Sequence, residues 1–394
     1  MRPSQFNGRI TQRQYGDNMQ NTRLRPCVLT AIAAALGCAA SGAIAQSSVT
    51  IYGTVDAGLQ YQNRSAAGGS ITEMHSGGIS PSIWGLKGSE DLGSGLKANF
   101  NLEGHFSSDT GTLTTGPGFS SELFRRQANV GLSGNWGAVT LGRQYSPALI
   151  GTIGTEARGF KEQFSNLYGW AYNQLPAPGN AMGAGTNPGN DVGVFIGNAL
   201  QYSNNFGPVW LGVAYSFGET AGSFKRGNEL SLGATYTGPV TVGLGYQSTA
   251  DSGTGETLSR LWSAGVAVPF DAFTGRVNYI GVTNNAPSGQ RVSDVKSIGV
   301  GLDYKWSPAN TATLAGYYSK YESSAHDSST KSVVLSNDYA FSKRTTLYAQ
   351  LVYVNAGAVG TADPLESLKT SIVAGGTAPG AKTVLAGVGL KHSF

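Results

Sequence analysis

The chain has 394 residues, of which only 13% are charged, 57 are Gly and 2 are Cys, with a formal net charge of +4. Glycine follows no three-residue period, which excludes a collagen-like rod, and no apolar run reaches the roughly 18 to 20 residues of a spanning helix. Of the 27 basic and 23 acidic residues, five Arg and one Asp fall within the first 45 positions, so the remainder is electrically balanced and leaves no basic footprint for nucleic acid.

Residues 1–45 read as a targeting segment. Arg23 and Arg25 form a positive start, Val28 to Ala40 a short apolar stretch, and Ala43, Ile44 and Ala45 a small-residue cleavage site, with cleavage expected after Ala45. Met19 is a more ordinary initiator than Met1. Cys27 and Cys38 both lie in this segment, so residues 46–394 are expected to be free of thiols, disulfides and thiolate metal sites.

From Val49 to Tyr61 the chain alternates. Val49, Ile51, Val55, Ala57, Leu59 and Tyr61 share one face; Thr50, Tyr52, Thr54, Asp56 and Gln60 share the other. Similar segments recur at 82–90, 96–106, 123–133, 137–145, 199–204, 209–217, 229–237, 240–248, 259–268, 274–283, 296–306, 311–321, 331–341, 345–354 and 382–394. With the first at 48–60 they make about sixteen, an even number as single-chain bacterial barrels require. Short turns at 237–239, 307–310 and 342–344 alternate with long polar stretches at 249–258, 284–295, 322–330 and 355–381. These features predict an all-β fold, a sixteen-stranded antiparallel transmembrane barrel. A Lys or Arg facing lipid at the bilayer midplane costs roughly 2 to 4 kcal/mol, so Asp56, Glu229, Asp303 and Lys305 are expected to face the lumen. A soluble sandwich would carry more charge on its polar face than this chain does.

The segment 146–198 breaks the alternation. Gly, Pro and Asn recur through its second half, and ordered loops of this length usually have a task. We expect it to fold inward as a pore constriction. Hydrolytic chemistry finds no support: His75, His105, His326 and His392 lie in no nucleophile motif, and no cluster has metal-ligand spacing. No catalytic residue, metal or cofactor is expected. Loop carboxylates Asp251, Glu256 and Asp327 could hold divalent ions beside lipopolysaccharide.

The stretches SVTIYGTVDAGL, WGLKGSEDLGSGLKANF, RQANVGLSGNWGAVTLGRQYSP and the ending GVGLKHSF resemble the trimeric general porins of the Gram-negative outer membrane, the betaproteobacterial type especially. The resemblance implies passive diffusion of ions and small hydrophilic solutes through a homotrimer embedded in lipid and lipopolysaccharide. It also implies a third loop whose acids face basic residues on the wall. The loop offers Glu156, Glu162 and Asp191 with Arg158 and Lys161; the wall offers Arg126, then Arg143. Phe394, in phase with Val384, Ala386, Val388 and Leu390, resembles the strand signal read by the barrel-assembly machinery.

Adjacent strand residues face opposite ways. Keeping Ala128, Val130 and Leu132 outside selects Arg125 for the lumen, whereas the family motif selects Arg126. Following the motif leaves Gln127, Asn129 and Gly131 outside, against another subunit. Related porins carry basic residues where this chain has Thr54, Ile83 and Phe195, so weak or cation-leaning selectivity is expected. Two alternatives stay open. In a solute-selective channel Phe160, Phe164, Tyr168, Trp170 and Tyr172 would line a binding track; a closed barrel would act as an adhesin or surface enzyme.

Overall fold

A computed structural model of the protein describes residues 48–65, 67–113, 122–166, 193–323, 327–357, 377 and 380–394. The leader at 1–45 lies outside the described residues, as do Asp191, Tyr168, Trp170, Tyr172 and His326. The strands are β1 (Ser48–Gln62), β2 (Ile71–Ser76), β3 (Ile83–Gly93), β4 (Leu96–His105), β5 (Gln127–Gly134), β6 (Gly137–Tyr145), β7 (Phe195–Phe206), β8 (Val209–Ser216) and β9 (Glu229–Thr237). They continue as β10 (Thr241–Ala250), β11 (Thr257–Phe270), β12 (Phe273–Asn285), β13 (Arg291–Ser307), β14 (Asn310–Ser323), β15 (Asp327–Ala340), β16 (Thr345–Asn355) and β17 (Lys382–Ser393). One short helix, α1 (Pro147–Thr152), follows β6.

Each strand from β3 onward pairs antiparallel with the next, and β17 returns to β1 with Ala57 opposite Leu390. The sheet is therefore closed. Seventeen strands make sixteen staves, because β2 and β3 both pair with β1, the first against Ala57 to Gln62 and the second against Ser48 to Thr54. The second stave is broken at 77–82, where Gly77 has a φ of 83° and Pro81 has no N–H to give. Asp56 holds the break. Its carboxylate accepts the backbone N–H groups of Gly78, Ile79 and Ser80 at 3.0 to 3.1 Å and the Tyr348 hydroxyl at 2.6 Å.

The faces follow the alternation. Val49, Ile51, Leu59, Ile298, Val300 and Leu302 are exposed, whereas Asp56, Gln60, Ser297 and Gln247 are buried among the polar inner side chains. This is the arrangement of a barrel whose solvent outside is hydrocarbon. Aromatic residues border the apolar band. Near the short turns Phe273 stacks on Tyr304 with centroids 4.6 Å apart, and Tyr339 meets Phe341 edge-on at 4.9 Å. Higher up, Trp262 and Tyr279 lie 4.6 Å apart.

Two stretches expected as long loops prove to be largely strand. β12 runs to Asn285 and β13 begins at Arg291; β14 runs to Ser323 and β15 begins at Asp327. Their outer face here is charged instead of apolar, with Lys296 Nζ 2.9 Å from Glu322 Oε2. These strand ends stand in water above the apolar band, so the hydropathy signal stops before the ladder does.

Closure falls on Phe394. The Phe394 N–H donates to Gly53 O at 3.0 Å and the Gly53 N–H donates to Phe394 O at 3.2 Å. A Cβ on Gly53 would lie 2.5 Å from the Phe394 ring, so the ring rests directly on backbone there. Deleting Phe394 removes both bonds from the seam. We expect most of the protein to lose the compact folded band on an unheated denaturing gel, while Phe394→Tyr keeps it.

Candidate pore-lining site

The segment after β6 starts as a capped turn. Ser146 accepts the Leu149 N–H at 3.3 Å and donates its hydroxyl to Gly193 O at 2.9 Å, and Pro147 supplies the first helical position. Helix α1 then lies against the polar faces of β9 and β10. Ala148 N–H donates to Ser231 Oγ at 3.0 Å, and Thr235 Oγ1 donates to Gly151 O at 2.9 Å. Glycines make this approach possible. A Cβ on Gly233 would sit 1.8 Å from Pro147 O, one on Gly245 2.4 Å from Ala148 O, and one on Gly301 1.8 Å from Ala157 O. Any side chain at these positions occupies the space of the loop backbone.

Further along, Glu156 organises the turn. Its carboxylate accepts the N–H groups of Arg158, Phe160 and Asn166 at 2.8, 2.9 and 3.2 Å and the Tyr317 hydroxyl at 2.7 Å. Arg158 is fully buried, donating to Gln163 O and Gln350 Oε1 with its guanidinium 6.0 Å from the Phe164 ring. Burial pulls it below the usual guanidinium range, against the opposite pull of Tyr317 and Glu156. Lys161 Nζ lies 2.9 Å from both Asp338 Oδ2 and Thr313 Oγ1. Gln163 Nε2 reaches Gln60 Oε1 at 2.6 Å, and the Glu162 N–H donates to Ile79 O at 3.4 Å. Residues 146–166 are thus bonded in turn to β9, β14, β16, β1 and the break between β2 and β3.

Apolar patches reinforce these bonds. Leu261, Ile280 and Val282 share the polar face of β11 and β12 and are covered by Leu149 and Phe160. Val334, Val352 and Leu385 do the same on β15 to β17 and are covered by Phe164. Burying an aromatic or aliphatic side chain contributes roughly 1.5 to 3 kcal/mol, so Phe164 is a substantial anchor. The described aromatics of the segment pack against the wall and do not form an open track.

On the opposite wall Arg126 Nε lies 2.6 Å from Glu103 Oε1, and its guanidinium also donates to the Tyr145 hydroxyl. It stands 5.0 Å from the Phe195 ring centroid and 5.5 Å from that of Tyr145. Phe195, where a basic residue was looked for, serves as a face for guanidinium groups. Arg143 sits at a register shift between Gly142 and Gln144, 5.8 Å from the same ring and donating to Arg125 O. Glu162 faces Arg126 and Arg125; burial pushes its carboxyl up to about 7, and the two guanidinium groups partly offset that rise.

The choice between Arg125 and Arg126 dissolves in this structure, and one expectation is corrected. Both arginines are buried, because both precede β5 and the either-or of strand alternation does not reach them. Within β5, Val130 and Leu132 are 56% and 44% exposed, while Gln127 and Asn129 stand opposite Glu103 and Asn101. Gln127 and Asn129 therefore belong to the inner face, not to the outside. Glu103 and Asn101 share a face with Tyr52, whose hydroxyl lies within hydrogen-bond distance of both side chains, at 2.8 and 2.7 Å.

Other expected residues are scattered. Asp303 accepts from Thr313 at 2.7 Å and pairs with Arg276 at 2.5 Å. Glu229 is buried at the start of β9, opposite Ser216. Lys305 is exposed, beyond the irregularity that ends the β13 and β14 register after Tyr304. Asp251 caps its own loop through Gly253 and Thr254 at 3.0 and 2.7 Å. Glu103, Arg276 and Asp338 were not anticipated. Arg276 was within reach, since it alternates with the exposed Val277.

A closed barrel of sixteen staves, apolar outside and polar within, with short turns at one rim and longer loops at the other, is the architecture of outer-membrane channels. The chain belongs to the Gram-negative porin family, whose model matches residues 29–358. The outer membrane porin protein 32 of Delftia acidovorans is 31% identical over 379 residues, covering 92% of this chain and 99% of that protein. The solved anion-selective porin from Comamonas acidovorans superposes with a TM-score of 0.73 at 27% identity, over 89% of this chain and all of that one. The trimer form of OmpT from Vibrio cholerae shares the fold at a TM-score of 0.61 and 15% identity, over 88% and 99% of the two chains. The protein is thus an outer-membrane porin, a channel that solutes cross passively.

Proposed function

We propose that the segment 146–198 narrows the lumen of each barrel in a homotrimer, and that solutes pass between it and the wall carrying Arg125, Arg126 and Arg143. The observation carrying this reading is the chain of bonds from Ala148 on β9 to Gln163 on β1, which takes residues 148–163 across the polar face of most of the barrel. Selectivity is weak. Arg126 is matched by Glu103, Arg276 by Asp303 and Lys161 by Asp338, so little net charge faces the passing solute. One structurally similar protein is an anion-selective porin; reversal potentials in a salt gradient test whether this chain departs from it. Conductance of the purified protein in planar bilayers should step in threes, and a clear chloride preference would overturn the weak-selectivity reading.

A pH dependence follows from Glu162. Its carboxyl, raised to about 7, is neutral below that value and negative above it. Raising the pH from about 6 to about 8 adds one negative charge per lumen beside Arg125 and Arg126. The permeability ratio should move toward cations over that window, and Glu162→Gln should abolish the step. A step that survives in the variant belongs to another group.

A further inference from the structure

The segment after β6 does not lie flush on the wall. Where it crosses β11 and β12 it leaves a cavity of about 20 Å³ between its own turn and the sheet. Leu149 and Ile280, from the apolar patch, close one side. The rest of the lining is polar, with Ser263 on β11, Asn278 on β12, and Glu156 and Asn166 from the segment. Ser263 stands opposite Ile280 in the ladder and Asn278 lies two residues from Ile280, so the two polar side chains are diagonal neighbours on the inner face.

Three atoms at this cavity have no partner among the described residues. Ser263 Oγ, Asn278 Oδ1 and Asn166 Nδ2 are buried and unpaired, on residues only 4%, 5% and 1% exposed. Ser297 Oγ donates to Asn166 Oδ1 at 2.8 Å and leaves the Nδ2 end free. Buried polar groups are satisfied as a rule, and three of them around one small space call for a shared partner.

The chemistry of the lining identifies that partner. A cation would meet the Asn166 N–H group, and it would gain nothing from Glu156, whose carboxylate already accepts three N–H groups and the Tyr317 hydroxyl. An anion would face Asn278 Oδ1 and that same carboxylate. One donor, one acceptor and a hydroxyl able to serve as either match the two donors and two acceptors of water, and the space exceeds the roughly 10 to 15 Å³ that one water requires.

We propose that a single buried water sits here and bridges Asn166 Nδ2 of the segment to Ser263 Oγ and Asn278 Oδ1 of the wall. Leu149 and Phe160 hold β11 and β12 by apolar contact; the water adds a directional tie and fixes the angle at which the turn around Glu156 meets the sheet.

The purified full-length protein in detergent serves for both tests. A high-resolution crystal structure after a thallium(I) acetate soak should show one water-sized peak within hydrogen-bond distance of all three atoms, with no anomalous signal there. Amide hydrogen exchange over residues 150–165 follows the tie in solution. Ser263→Ala should speed that exchange about twofold to tenfold, the effect of one hydrogen bond. Asn166→Ala should speed it too, and the double variant should be no faster than Asn166→Ala alone, because both changes remove the same bridge. An empty cavity, a thallium peak inside it, or effects that simply add in the double variant would each overturn the proposal. None of these readouts depends on whether the segment limits flow.

Discussion

Replacing Gly301 with valine is expected to raise single-channel conductance about twofold or more, since conduction through a narrow pore follows its open cross-section. A Cβ there would lie 1.8 Å from Ala157 O, and the obstructing atom is backbone, which cannot swing away as a side-chain tip would. The strand is fixed by ladders on both sides, so the segment must lift. Lifting it strips Glu156 of its Tyr317 partner and uncovers the apolar patch under Phe164. Gly233→Val acts at the other end, where a Cβ would lie 1.8 Å from Pro147 O. Gly316→Ala is the control, its nearest obstacle being 3.9 Å away. Wild-type conductance in both valine variants, with folded trimer confirmed on unheated gels, would show that the segment does not limit flow.

The second large effect is on ion preference. Arg126→Ala leaves Glu103 in the wall without its cation, 2.6 Å from where Nε had been. Breaking a buried pair by removing one partner costs about 3 to 5 kcal/mol, so the variant should unfold at lower temperature as well. Its reversal potential should move strongly toward cation preference, because a carboxylate formerly matched now faces the lumen alone. The double variant Arg126→Ala, Glu103→Gln restores neutrality and should return the potential close to wild type. If the single variant leaves reversal potential unchanged, the pair does not face the permeating ions.

Much of this architecture could be read from alternation. Ile298, Val300 and Leu302 follow the period of two and are exposed, because a strand between lipid and water has only two kinds of neighbour. The reading weakened where a third kind intervenes. β2 has only six residues and is set apart by glycine and proline, too short a run to show its period. The strand ends at 291–295 and 322–323 carry Asp294 and Glu322 on the outer face in place of apolar residues, so they read as loop. Leu261, Ile280 and Val334 are apolar on the polar side, and they mark where the segment after β6 docks. In a lumen wetted everywhere such residues would be out of place, and that anomaly was a usable signal.

The site was less legible than the barrel. Arg126 was found through family likeness, yet Glu103 went unnoticed, because a cross-strand partner is fixed by register rather than by nearness in sequence. Asp56 was expected on the lumen side; what alternation could not show is that its carboxylate gathers three N–H groups of the broken stave. Arg158 was expected among the charges that the segment after β6 offers. Its buried bonds to Gln163 and Gln350 make it a brace.

The seam between Phe394 and Gly53 has a consequence for biogenesis. Because β1 pairs with β17, the first and the last of the described strands, no partial sheet grown from β1 onward can become a ring before β17 arrives. Every such partial sheet has two raw margins able to capture a stranger's strand. Joining two elements so far apart in the chain makes closure late and all at once.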